Sequence, residues 1–218
     1  MSLSLLFKDE LNGFYRSKVM LVLWVGLPAL SIFMYAIGAS GEGIPVAVLS
    51  SVVVSTLGGA LASAMLAISL ITERERHVYD LFVIRPVRRR EILFSKFLAV
   101  YLCIAIAGLL AIALGVLVDY ALTGLSEGID FSSLGESVVL VFSMMAVSCA
   151  TGIFIGTISP SVLVGVILVL YGGNQLAALV VLPVLVWFSA VWFPPLAAGV
   201  ISALILTLSV VVFNRKEL

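Results

Sequence analysis

The chain has 218 residues, of which 62% are hydrophobic and only 11% are charged, and its formal net charge at pH 7 is zero. Soluble domains carry about 25% charged residues, so this composition excludes a water-soluble globular protein and indicates a polytopic membrane protein. The two cysteines, Cys103 and Cys149, lie inside apolar runs, where a packing role is expected rather than a disulfide or a metal site.

The basic residues occur in only three parts of the chain: residues 8–18, residues 74–96 and residues 215–216. Because basic segments remain on the cytoplasmic side of a membrane, we expect all three parts to be cytoplasmic. The segments between spans that fall on the other side carry only acidic residues, at position 42 and within 119–136. This pattern requires an even number of crossings and places both termini in the cytoplasm of a cell-membrane protein.

Residues 3–17 have apolar side chains at helical spacing, with polar residues between them. This pattern predicts an amphipathic helix that lies along the inner surface of the membrane. The apolar positions are Leu3, Leu6, Phe7, Leu11 and Phe14.

A single α-helical transmembrane domain with six spans is predicted over residues 1–218. Residues 137–214 contain no formal charge, and three crossings there maintain the even number, with a break at the Pro160 turn. Prolines and aromatic residues in 183–195 predict a short outer re-entrant element. The six predicted spans are 19–41, 45–72, 97–118, 137–157, 161–181 and 196–213.

The most polar patch at membrane depth is formed by Tyr171, Asn174 and Gln175, next to two glycines that should loosen the helix. Side-chain amides need partners in hydrocarbon, so this patch either bonds neighbouring helices or lines a translocation path. Stripes of small residues, such as Ser148, Gly152 and Gly156, are candidates for helix packing, a dimer interface or a path.

Residues 73–96 form a charged segment between two apolar runs, with seven of the twelve basic residues and the only histidine. Such a segment is either a solvated loop that fixes topology or a docking surface for a cytoplasmic partner.

Several classes of chemistry are missing from the chain. It contains no GxxxxGK[ST] sequence, so any ATP hydrolysis belongs to a partner. No ionisable residue is predicted at mid-membrane, which disfavours an ion-coupled carrier. The catalytic residues of an intramembrane protease, a Ser/His pair, paired Asp residues or an HExxH sequence, are not recognised in the chain. The chain is not expected to be an enzyme or to bind nucleic acid.

The order of residues in the charged segment resembles the cytoplasmic loop of ABC-2 type transporter permeases. The matching residues are Glu73-Arg74-Glu75, Leu81-Phe82, Pro86-Val87, Arg88 to Arg90, Glu91-Ile92-Leu93 and Lys96. In that family the loop follows the second span and carries a coupling helix that engages the ATPase subunit.

The resemblance implies the permease subunit of an ABC exporter. Such a subunit pairs with a second permease and binds two cytoplasmic ATPase subunits, which hold ATP and Mg, so no cofactor is expected in this chain. A non-transporting membrane anchor or assembly factor is the alternative. The implied ATPase-coupling residues are Glu73, Arg74, Glu75, Arg76, Tyr79, Asp80, Leu81, Phe82, Pro86 and Arg88.

Overall fold

The computed structural model describes residues 3–36, 46–76, 89–123, 131–187 and 192–215, and nearly all of these residues are helical. No strand occurs in these ranges, which confirms the prediction of an all-α protein for this part of the chain. The helices are α1 (Leu3–Tyr15), α2 (Lys18–Ala36), α3 (Val46–Glu75), α4 (Arg89–Thr123), α5 (Phe131–Ile158), α6 (Val162–Leu168), a π-helical turn (Val169–Gly173), α7 (Asn174–Trp187) and α8 (Phe193–Arg215).

Five helical segments in the described ranges are long and apolar enough to cross a membrane. A sixth crossing is obtained if the bent pair α1 and α2 is counted as one span, the two helices meeting at an angle of 65°. The chain therefore has the architecture of a multi-pass membrane protein. The five segments are Ser51–Glu75, Arg90–Val118, Gly135–Ile158, Val162–Val181 and Phe193–Phe213.

The two described ends of the charged segment are helical. Helix α3 continues to Glu75 and α4 already begins at Arg89. With 35 residues, α4 is about 52 Å long at 1.5 Å per residue, whereas the hydrocarbon core is only about 30 Å thick. A helix of this length extends beyond the hydrocarbon core into water. There the helix can continue through charged residues at little energetic cost, because their side chains stay hydrated.

The two helices that flank the predicted outer loop also extend beyond the predicted spans 97–118 and 137–157. Helix α4 ends at Thr123 and α5 begins at Phe131, so both ends of the predicted outer loop 119–136 are helical. The break after α5 is confirmed, because α5 ends at Ile158 and α6 begins at Val162, with Pro160 between them. Proline cannot donate a backbone hydrogen bond and restricts the residue before it, which ends α5 there.

The predicted span 161–181 is not one regular helix. A π-helical turn at Val169–Gly173 separates α6 from α7, and α7 then continues through Pro183 to Trp187. The first part of the predicted re-entrant element 183–195 is therefore helical, while residues 188–191 lie outside the described residues. Helix α8 has two prolines in its first turn. The N–H groups of a first turn have no acceptor within the helix, so proline, which lacks an N–H group, is tolerated there.

Helices α3 and α5 pack closely along a seam of small residues. A Cβ atom on Gly152 would lie 2.6 Å from both the Cα and the carbonyl oxygen of Ser63, and one on Gly156 would lie 3.0 Å from the Cα of Ala67. The packing role predicted for the stripe on α5 is confirmed. Because α3 covers these glycines, the suggestion that they form a dimer interface or a path is wrong.

The N-terminal helix packs on protein rather than standing free. Leu6 and Phe14 of α1 are buried in the main hydrophobic core, and α4 is the helix against which α1 mainly lies. The Ser17 hydroxyl accepts a hydrogen bond of 3.2 Å from the Met20 N–H and so caps the start of α2. Part of the apolar stripe predicted to face lipid is thus covered by α4.

Candidate coupling site

The ends of α3 and α4 that flank residues 77–88 are the part of the predicted coupling site that the structure describes. Glu73, Arg74 and Glu75 form the last turn of α3, and Arg76 follows directly. The other predicted coupling residues lie outside the described residues: Tyr79, Asp80, Leu81, Phe82, Pro86 and Arg88.

Lys96 of α4 is buried at the centre of a charged cluster, with only 2% of its side chain exposed. Its Nζ lies 2.9 Å from Oε1 of Glu10 on α1 and 2.6 Å from Oε1 of Glu73 on α3. The ring of Phe14 on α1 lies beneath the ammonium, with its centroid 5.8 Å away. One cation therefore joins three helices, and we call Lys96, Glu10 and Glu73 the lysine cluster.

Helical spacing explains why each member of the lysine cluster points inward. On α4, Lys96 falls in the same buried stripe as Leu93 and Val100, because positions three and four apart share a face. On α1, Glu10 lies four residues after Leu6 and four before Phe14, both of which are buried. Sequence reasoning missed the cluster, although this periodicity was the signal that could have revealed it.

Within the lysine cluster one ammonium faces two carboxylates. Burial raises the pKa of the Glu10 carboxyl above its ordinary value, although the Lys96 charge opposes that change. The Ser69 hydroxyl donates a hydrogen bond of 3.0 Å to Oε1 of Glu73 and supports the second carboxylate. A buried lysine is costly unless it is paired, so all three side chains depend on one another.

Arg74 points toward the end of α5 rather than into solvent. Its Nη1 donates to the carbonyl oxygen of Thr157 at 3.3 Å, and its Nη2 donates to the carbonyl oxygen of Ser159. The last carbonyls of a helix lack intrahelical partners and carry partial negative charge, so a guanidinium is well suited to this position. Arg74 thus joins the end of α3 to the turn between α5 and α6.

The next two residues have different surroundings, since the side chains of Glu75 and Arg76 are exposed. Of the four described coupling residues, Glu73 and Arg74 make contacts within the chain, and the other two are accessible to a partner. Helix α1, the end of α3, the start of α4 and the turn after α5 all meet at one end of the helical bundle.

Two side chains of the polar patch near the π-helical turn are exposed. Tyr171 is 80% exposed and Gln175 is also exposed, while the side chain of Asn174 lies outside the described part. Gly173 lies against α5, where a Cβ atom would meet Oγ1 of Thr151 at 3.3 Å. Gln175 has no hydrogen bond to another helix within the described residues.

The described residues contain no group of three or more His, Cys, Asp or Glu side chains that could hold a metal ion. No protein-family model matches the chain, and no curated protein matches it either.

Proposed function

We propose that this chain is the permease subunit of an ATP-driven ABC exporter of the ABC-2 type. The observation that carries the proposal is the charged segment, whose ends lie in two long helices and whose residue order resembles that of an ABC-2 coupling loop. The exposure of Glu75 and Arg76 at its described edge supports a docking role. Two copies of a cytoplasmic ATPase would bind there and would hold ATP and Mg.

In this proposal the bundle end that carries the lysine cluster is cytoplasmic. Its basic residues favour that side of the membrane. Helix α2 is then the first of six spans, α1 lies along the inner surface, and both termini are cytoplasmic in the cell membrane. Tyr171, Asn174 and Gln175 would either pack against another helix, such as one of a second permease, or line the translocation path, because polar groups at membrane depth need protein or water as a partner.

The packing of α3 suggests how ATPase movement would reach the spans. Closure of the ATPase pair on ATP would displace residues 77–88 and, with them, the end of α3. The close approach of Gly152 and Gly156 to α3 and the bonds from Arg74 to the end of α5 would make α5 follow. The spans would then alternate access between the two sides, and the uncharged interior favours an apolar or amphipathic cargo.

A photoreactive residue at position 75 or 76, used in intact cells, tests the proposal. We expect crosslinks to a protein with a P-loop, followed by permease-dependent stimulation of its ATP hydrolysis when both are reconstituted in liposomes. The matched control is a photoreactive residue at position 199, on an exposed part of α8. Crosslinks from 75 and 76 only to proteins without a nucleotide site would instead favour the anchor or assembly-factor alternative.

A further inference from the structure

Helices α1 and α3 do not pack directly against each other in the described structure, yet both are bound to the same atom. Lys96 Nζ bonds to Glu10 on α1 and to Glu73 on α3, with both distances below 3 Å. Glu73 lies in the turn that leads into residues 77–88, and Lys96 lies in α4, which leads out of them. The N-terminal helix is thus tied by one ammonium group to both sides of the charged segment.

We propose that Lys96 is a positioning residue that makes the N-terminal helix move together with the charged segment. The proposal rests on the proposed function, since it identifies a route by which ATPase-driven movement reaches α1. Lys96 has to remain near both carboxylates, because it is buried and has no solvent to replace a lost partner. A displacement of the end of α3 therefore shifts Lys96 and Glu10, and α1 with them.

Two features of α1 make this link specific. Among the described residues its carboxylate at position 10 is held by Lys96, whereas the neighbouring Lys8 and Asp9 are exposed. Phe14, one turn further along, is buried beside the same ammonium. The exposed Asp9 provides a matched control, because it has a carboxylate on the same helix.

The first test measures amide hydrogen exchange of the full-length protein in lipid nanodiscs. Glu10→Gln removes the charge on the α1 side and leaves the pair between Lys96 and Glu73 in place. We expect exchange in residues 3–15 to be faster by about tenfold, with exchange in α5 unchanged. Asp9→Asn should not change exchange in α1. Unchanged exchange in Glu10→Gln would overturn the proposal.

A second variant is needed because Lys96→Met removes both bonds and leaves two carboxylates facing each other, which can prevent folding. Glu73→Gln breaks only the α3 side. We expect it to loosen the end of α3 while α1 remains protected through Glu10. Equal loosening of α1 by Glu73→Gln and Glu10→Gln would show general destabilisation and would contradict the proposal.

The deciding test compares exchange in the complex with the ATPase, with and without ATP and vanadate. In the unmodified protein we expect trapping to change exchange both at residues 73–76 and in α1. In Glu10→Gln the change should persist at 73–76 and be lost in α1, an outcome that a merely stabilising role would not produce. A retained response of α1 in Glu10→Gln would overturn the proposal.

The same measurement separates the two proposals. If the unmodified protein shows no response to nucleotide at residues 73–76, the ATP-driven function fails. The tie between α1 and Lys96 is then judged by the nucleotide-free exchange of Glu10→Gln alone.

Discussion

Glu73 and Glu75 are two residues apart at the same helix end, yet their surroundings differ. Glu73 turns inward to Lys96, with 26% of its side chain exposed, while Glu75 is exposed. Residues two apart in a helix point to nearly opposite sides. A joint reversal of both charges would therefore combine a folding defect with a docking defect, and the two positions need separate variants.

Glu73→Lys should lower the stability of the protein, and Glu75→Lys should not. Breaking a fully buried pair costs about 3–5 kcal/mol, so we expect a loss of about 1–3 kcal/mol for the partly exposed Glu73. Glu75→Lys should weaken ATPase binding by up to about fivefold, as expected for an exposed charge pair of 0.2–1 kcal/mol. Thermal unfolding in detergent and ATPase titration measure the two effects. Equal loss of stability in both variants would contradict this assignment.

Arg74 should contribute to stability through the end of α5. Arg74→Gln removes a charged donor from the carbonyls of Thr157 and Ser159, and hydrogen bonds to charged groups contribute about 1.5–3 kcal/mol. We expect the midpoint of thermal unfolding to fall, and the exposed neighbour Arg76→Gln serves as the control. If Arg76→Gln lowered the midpoint as much as Arg74→Gln, the capping role would be refuted.

At the scale of helices, the α3–α5 pair is fixed by backbone proximity rather than by large side chains. Gly152 lies where any Cβ atom would overlap the backbone of Ser63, and the neighbouring Ser148 is fully buried. Close approach of two helices increases their dispersion contacts, which drive helix association in lipid. The α6–α7 region differs, because a π-helical turn interrupts its regular α-helical hydrogen-bond pattern.

Gly152→Ala should destabilise the protein by about 1–3 kcal/mol, because the added methyl group forces α3 and α5 apart. Gly199→Ala in α8 is the matched control, since nothing lies within 4 Å of a Cβ atom at that position. The control should be neutral or stabilising by up to about 1 kcal/mol through better helix propensity. Reversible unfolding in detergent measures both variants. Equal stability of the Gly152→Ala and Gly199→Ala variants would contradict the close packing of α3 against α5.

At the scale of the whole molecule, the lysine cluster and Arg74 bring α1, α3, α4 and α5 together at one end of the bundle. Loop charge then determines which side of the membrane this end occupies, because basic segments resist translocation. The buried positions of Cys103 and Cys149 should keep the background low in experiments with thiol reagents.

Single introduced cysteines test the predicted membrane topology. A cysteine in place of the exposed Arg90 should react with an impermeant thiol reagent only after the cells are opened, and one at position 127 should react in intact cells. The unmodified protein is the control for the two native thiols. Reaction of position 90 in intact cells would contradict a cytoplasmic charged segment.

The sequence by itself determined the membrane class, the helical content, the break at Pro160 and the interruption near Gly172 and Gly173. These properties depend on local chemistry: the length of apolar runs, the missing donor of proline and the small size of glycine. Helix ends such as Arg89 were not determined by the sequence, because hydropathy marks where the membrane ends and not where the helix ends.

The tertiary structure alone decided the partners of the charged residues. Lys96 pairs with Glu73, 23 positions away, and Arg74 bonds to carbonyls 83 and 85 positions away. Helical periodicity indicates which face of a helix is buried, but it carries no information about which other helix covers that face. That choice depends on the packing of all the helices together, and it gave Glu73 and Arg74 their contacts within this chain.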